Sequence, residues 1–167
     1  MQKLYTPSHV ANFFLRKARE EGVSITQLKL LKIVYIAYGW VLAMLGERLF
    51  NEPIQAWKLG PVVPSLYHEF KRFSQFPIDT LSMTLDDDQK TLHSPEISAD
   101  DECTVILDKV WDVYKVFSAR ALVDKTHEVD TPWSKHYRPG VRDIPIPDED
   151  IKDYFTQKIT EYLSVRQ

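Results

Sequence analysis

Cysteine is almost missing from this chain of 167 residues. The single one, Cys103, can form no intramolecular disulfide and supplies too few thiolates for a cysteine-based zinc site. That usage points to a reducing, cytoplasmic setting. Glycine is scarce too, at 5 residues, which argues against glycine-rich phosphate loops and turn-dense β architectures. Positive charge is not in excess: 21 Lys and Arg stand against 24 Asp and Glu, for a net −3. Nucleic-acid binders draw much of their affinity from phosphate contacts, so DNA and RNA are disfavoured as partners. The longest uncharged apolar run, Ile33 to Gly46, falls short of the ~20 residues a membrane span needs. Lys29 and Lys32 stand just before it, so it reads as a buried core helix with no membrane role. Met1 to His9 carries no apolar signal core.

Enzymatic motifs are lacking as well. There is no Gly-x-Gly-x-x-Gly, no Walker loop and no Gly-x-Ser-x-Gly elbow. His127-Glu128 is followed by Val129, Asp130 and Thr131, so the second histidine of a His-Glu-x-x-His zinc site is missing. His136 comes nine positions later, beyond a proline. Cys103 follows Asp100, Asp101 and Glu102, whose charge opposes a thiolate. Asp86-Asp87-Asp88 lacks the glycine and the distant glutamate of a calcium loop. On these grounds the sequence assigns no catalytic residue, no metal ligand and no cofactor.

What is present is an apolar, helix-patterned chain with 44% hydrophobic and 12% aromatic residues. The length suits one domain, spanning 1–167. Thr6-Pro7 predicts a helix start. Val10, Phe13, Phe14 and Ala18 follow at helical spacing, and Gly22 stops the element. Ser24 with Gln27 suggests a capping box for a second helix, about 26–45, ended by Gly46 and apolar on most sides, hence central. Inside it, Gly39 costs about 1 kcal/mol relative to alanine, which suggests a close backbone contact. Ile54, Ala56 and Lys58 alternate with Gln55 and Trp57, which permits a short strand or extended segment, broken by Gly60-Pro61, and Pro64 starts a helix to about Phe73. Ser74 to Pro95 reads as an acidic, solvated loop, with Thr91 to His93 a weak strand signal.

Ser98 with Asp101 marks the next helix start, with Ile106, Val110, Val113, Tyr114 and Phe117 as its buried stripe. Ser118 opens a short helix ending near His127, and Thr131-Pro132 opens another. Last comes a helix after Asp148, with Ile151, Tyr154, Phe155, Ile159, Tyr162 and Leu163 as its apolar face. The fold class that follows is mainly α: a compact single-domain helical bundle around the central helix, with room for one small two-stranded β element. Trp40 and Trp111 lie within helical apolar faces. Trp57 and Trp133 lie beside Gly-Pro and Thr-Pro turns, where aromatic anchors of binding surfaces also occur.

Three ordered blocks carry a family resemblance. The first is Leu28-Lys29-Leu30-Leu31-Lys32-Ile33-Val34-Tyr35-Ile36-Ala37-Tyr38-Gly39-Trp40, in which Leu31 and Tyr38 stand where glutamines are usual and Ile36 replaces an aromatic. The second is Glu52-Pro53-Ile54-Gln55-Ala56-Trp57-Lys58-Leu59-Gly60-Pro61-Val62-Val63-Pro64, and the third Leu122-Val123-Asp124-Lys125-Thr126-His127 followed by Pro132-Trp133. From about Tyr5 to Phe155 the chain resembles the Panacea domain family of SocA-like antitoxins, in older naming phage-associated GepA-like proteins. The resemblance implies a non-enzymatic helical antitoxin of a bacterial or phage toxin–antitoxin pair, whose partner is a cognate toxin protein encoded nearby. An alternative is an adaptor that hands the toxin to a cellular protease. Another is a phage-associated regulator or enzyme using His127 with Asp124 or Glu128. The candidate partner-binding residues are Trp57 and Trp133 as anchors, Lys58, Lys125 and His127 as polar partners, and Gly60 and Pro61 between them.

Overall fold

A computed structural model describes residues 4–166. Thr6 caps α1 (Pro7–Glu21), and its N–H donates to His9 Nδ1 at 3.2 Å. Gly22, at φ 65°, provides the left-handed turn that stops the helix. Val10, Ala11, Phe14, Leu15 and Ala18 face the core, while Phe13 is only partly buried.

The second helix, α2 (Gln27–Leu45), is capped by Thr26 rather than Ser24: the Lys29 N–H donates to Thr26 Oγ1. Ile25 is drawn into the core, so the helix can begin only after it. Gln27, instead of reaching back to complete a capping box, donates from Nε2 to the Tyr67 carbonyl at 2.8 Å. From Lys29 to Gly39 every residue of α2 is buried, and the helix touches α1 on one side and the later helices on the others. Gln27–Leu45 is long and apolar enough to cross a bilayer, but most of it is buried inside the protein.

Two short strands follow, β1 (Gln55–Trp57) and β2 (Gly60–Val62), paired antiparallel with Gln55 opposite Val62 and Trp57 opposite Gly60. Gly60-Pro61 therefore builds the return strand instead of ending the element. Proline is tolerated because its partner Ala56 turns its own N–H the other way, to the Ile144 carbonyl at 2.8 Å. α3 (Pro64–Phe70) runs into a 3-10 turn, Lys71–Phe73. A second hairpin, β3 (Thr84–Leu85) with β4 (Leu92–His93), lies exposed in the acidic stretch. The small two-stranded element is thus present twice, and the strand signal at Thr91 to His93 pairs locally.

That acidic stretch is tied down at its base. Asn12, fully buried, donates to the Ser82 and Pro95 carbonyls at 3.0 Å each and accepts the Ser82 N–H at 2.8 Å.

α4 (Glu102–Tyr114) starts at Asp101, whose Oδ1 accepts the Cys103 N–H at 3.0 Å. Ser98 instead serves through its carbonyl, which takes the Asp101 N–H. The buried stripe is Cys103, Ile106, Leu107, Val110 and Trp111; Val113 points outward, because Trp111 takes the inward position. α5 (Ala119–Thr126) and α6 (Pro132–His136) are capped by Ser118 and Thr131. α7 (Asp148–Val165) buries Ile151 and Phe155 only; Tyr162 and Leu163 are exposed because the helix outruns the core. Where α7 crosses α2, a methyl group on Gly39 would overlap the Phe155 ring. The close contact expected at Gly39 is this ring.

Candidate functional site

The second and third sequence blocks meet at the β1–β2 hairpin. Its tip, Lys58-Leu59, leads into Gly60 at φ 110°, a conformation suited to glycine. A Cβ there would fall 2.7 Å from Thr126 Oγ1 and 2.8 Å from Lys32 Cε, so only a glycine lets the strand pass so close to α2 and α5. Lys32 is 1% exposed, and its Nζ donates to the Pro61 carbonyl at 2.8 Å. Burial pushes its pKa down to about 7.

On the opposite strand, Trp133 Nε1 donates to the Trp57 carbonyl at 2.7 Å. The Trp133 ring lies against His127 at 3.7 Å and 5° between planes, with Tyr137 stacked at 4.7 Å. Thr131 Oγ1 donates to the Thr126 carbonyl at 2.8 Å, closing the α5–α6 turn beneath this stack. Burial, and then the nearby charge of Lys32, lowers the His127 pKa. The Trp57 indole donates to Gln55 Oε1 at 2.8 Å and sets its edge against Tyr67, ring centroids 5.0 Å apart. From the other side the Ile146 N–H donates to the Ile54 carbonyl, so a second chain segment backs the hairpin.

Of the residues singled out from sequence, five come together here: Trp57, Gly60, Pro61, His127 and Trp133. Trp57 and His127 are half-buried; Gly60, Pro61 and Trp133 are buried. Trp133 is thus a support beneath the tip. Lys58 is exposed at the tip, beside Leu59 at 51% exposure. Lys125 does not join them. Its Nζ lies 4.8 Å above the Phe117 ring, and the residue helps line a small cavity with Tyr35, Tyr154 and Lys158.

Sequence reasoning missed Lys32, Leu59, Thr126 and Tyr137. A lysine inside a helix apolar all round was the available signal for the first.

A second concave surface, about 480 Å³, lies between α2 and α4 and is mainly apolar, with Trp40, Met44, Val105, Val113 and Tyr114 along it. Cys103 is buried, and burial with a hydrogen bond to Asp101 pushes its pKa up to about 12. Among the described residues no three His, Cys, Asp or Glu side chains group closely enough to hold a metal ion.

Residues 30–134, from within α2 to within α6 and including the β1–β2 hairpin with His127 and Trp133, match the model of the antitoxin SocA-like, Panacea domain family. The chain belongs to this family of antitoxins. Among its relatives is Antitoxin SocA of Caulobacter vibrioides (strain NA1000 / CB15N), 43% identical over 61 residues, which cover 36% of this chain and 32% of the relative. The matched stretch therefore spans about a third of that relative's length. No solved structure matches the chain.

Proposed function

We propose that this chain neutralises a cognate protein toxin, encoded nearby, by direct binding, and that the hairpin tip is the contact. One observation carries the reading. Lys58 and Leu59 project, with Trp57 half-buried at their base, from a hairpin whose backbone is fastened from within by buried donors, so an apolar and cationic tip is held in place. Preorganisation of this kind lowers the entropy lost on association, and aromatic anchors concentrate the energy of protein–protein contacts. Around the tip, Tyr67, His68 and Tyr137 widen the surface toward the roughly 1,600 Å² usual for a stable complex. The binding residues are Trp57, Lys58 and Leu59, with Gly60, Pro61, His127 and Trp133 shaping them from below. Lys125, over the Phe117 ring, lies apart from this contact. The chain acts stoichiometrically, without catalysis, as one Panacea-type domain over 1–167 in the cytoplasm.

The test is growth of bacteria expressing the product of the adjacent gene, with and without this chain, followed by co-purification through a tag on it. Relief of toxicity with the two proteins eluting together supports the reading. Relief without a complex points instead to delivery of the toxin to a protease, and no toxicity from either neighbouring gene overturns the local pairing.

A further inference from the structure

Lys32 is an unfavourable choice for its position. Its ammonium is wholly buried inside an apolar helix face and makes one hydrogen bond, to a carbonyl rather than a carboxylate. Burying a charge without a counter-charge is costly, and an apolar side chain of similar length would fill the same space. Its contact, however, is specific. The Pro61 carbonyl belongs to the return strand, while the Trp57 carbonyl of the outgoing strand is held by Trp133 Nε1 at 2.7 Å. These two carbonyls bracket Lys58, Leu59 and Gly60. An isolated two-stranded hairpin is only marginally stable, so the tip depends on what grips its two ends.

From this geometry we infer that Lys32 is a positioning residue: with Trp133 it forms a two-point clamp that sets the conformation of the Trp57-Lys58-Leu59 tip for the toxin. The functional half of this statement rests on the binding reading above; the clamp itself does not. Pro61 suits the arrangement, since its ring fixes the backbone while its carbonyl stays free to accept. Gly60 suits it too, because any side chain there would strike Lys32 and Thr126.

The experiment is Lys32→Met in the full chain, a change that keeps an unbranched side chain one atom shorter and removes its donor. Amide hydrogen exchange of residues 58–60 is expected to speed up at least 10-fold, while α2 keeps its protection and the melting temperature does not fall below that of wild type. Relief of toxicity against the neighbouring gene's product is expected to fall as far as it does in Trp57→Ala. A residue that merely stabilised the fold would lower the melting temperature and speed exchange throughout; that pattern, or unchanged exchange at the tip, overturns the clamp. Faster tip exchange with full relief of toxicity leaves the clamp standing and removes the tip from the binding surface. In wild-type protein at a pH well below 7, slowly exchanging Lys32 ammonium protons close to Gly60 and Pro61 by NMR are expected even if the variant fails to fold; their absence overturns the clamp as well.

Discussion

The Phe155 ring fills the space that a side chain at Gly39 would occupy, so α7 rests directly on the backbone of α2. Gly39→Ala adds helix propensity worth about 1 kcal/mol, yet it overpacks the crossing by about 1–3 kcal/mol, and net destabilisation is expected. Phe155→Ala costs about 3–5 kcal/mol through the cavity it leaves. In that background the alanine methyl at position 39 has room, so Gly39→Ala becomes neutral or stabilising. Urea unfolding of the two single variants and the double variant measures this coupling.

Lys32 gives the fold a pH dependence of definite sign. Its pKa falls from 10.5 in the unfolded chain to about 7 in the folded one. Between those values the unfolded state binds the extra proton, so stability rises with pH across that window. Below pH 7 both states are protonated and the desolvation cost is fully present. The rise amounts to at most about 5 kcal/mol. Urea midpoints between pH 6.5 and 9.5 are expected to climb in wild type and to flatten in Lys32→Met.

Asn12 holds the acidic segment to α1 by three hydrogen bonds. Asn12→Ala removes the partner of the buried Ser82 N–H and of the Ser82 carbonyl and leaves the Pro95 carbonyl to Arg16 alone, for a cost of about 2–3 kcal/mol. Limited proteolysis is expected to cut between 79 and 93 earlier in the variant, with the rest of the chain still resistant.

Cys103, with its thiol held far above its usual pKa by burial and Asp101, carries little thiolate at neutral pH. Iodoacetamide is expected to leave native protein unmodified over a period in which urea-unfolded protein reacts to completion. Labelling at equal rates in both states would contradict the buried placement.

The helical frame was legible where the signal is local. Thr6-Pro7, Ser118, Thr131-Pro132, Gly22 and Gly46 act through their own backbone or hydroxyl groups, and each ends or starts an element where the sequence predicts it. Misplacements occurred where tertiary packing decides. Ile25 enters the core and moves the α2 cap from Ser24 to Thr26; the end of α7 finds nothing to cover Tyr162 and Leu163.

Gly60-Pro61 carries the local signature of a break, and antiparallel pairing with β1 makes it a strand. At the site, Lys125 and His127 lie two residues apart, a spacing that sends helical side chains to different faces. Lys32 was passed over because a lysine in a helix usually marks solvent; here burial and one carbonyl reverse that meaning.

The measurement that tests the account most directly is hydrogen exchange of this chain with and without the product of the adjacent gene. The account predicts new protection at residues 55–62 and 127–137, lost on Trp57→Ala together with relief of toxicity. Protection confined to the apolar surface of Trp40, Met44, Val105 and Val113, with the hairpin unchanged, would contradict it.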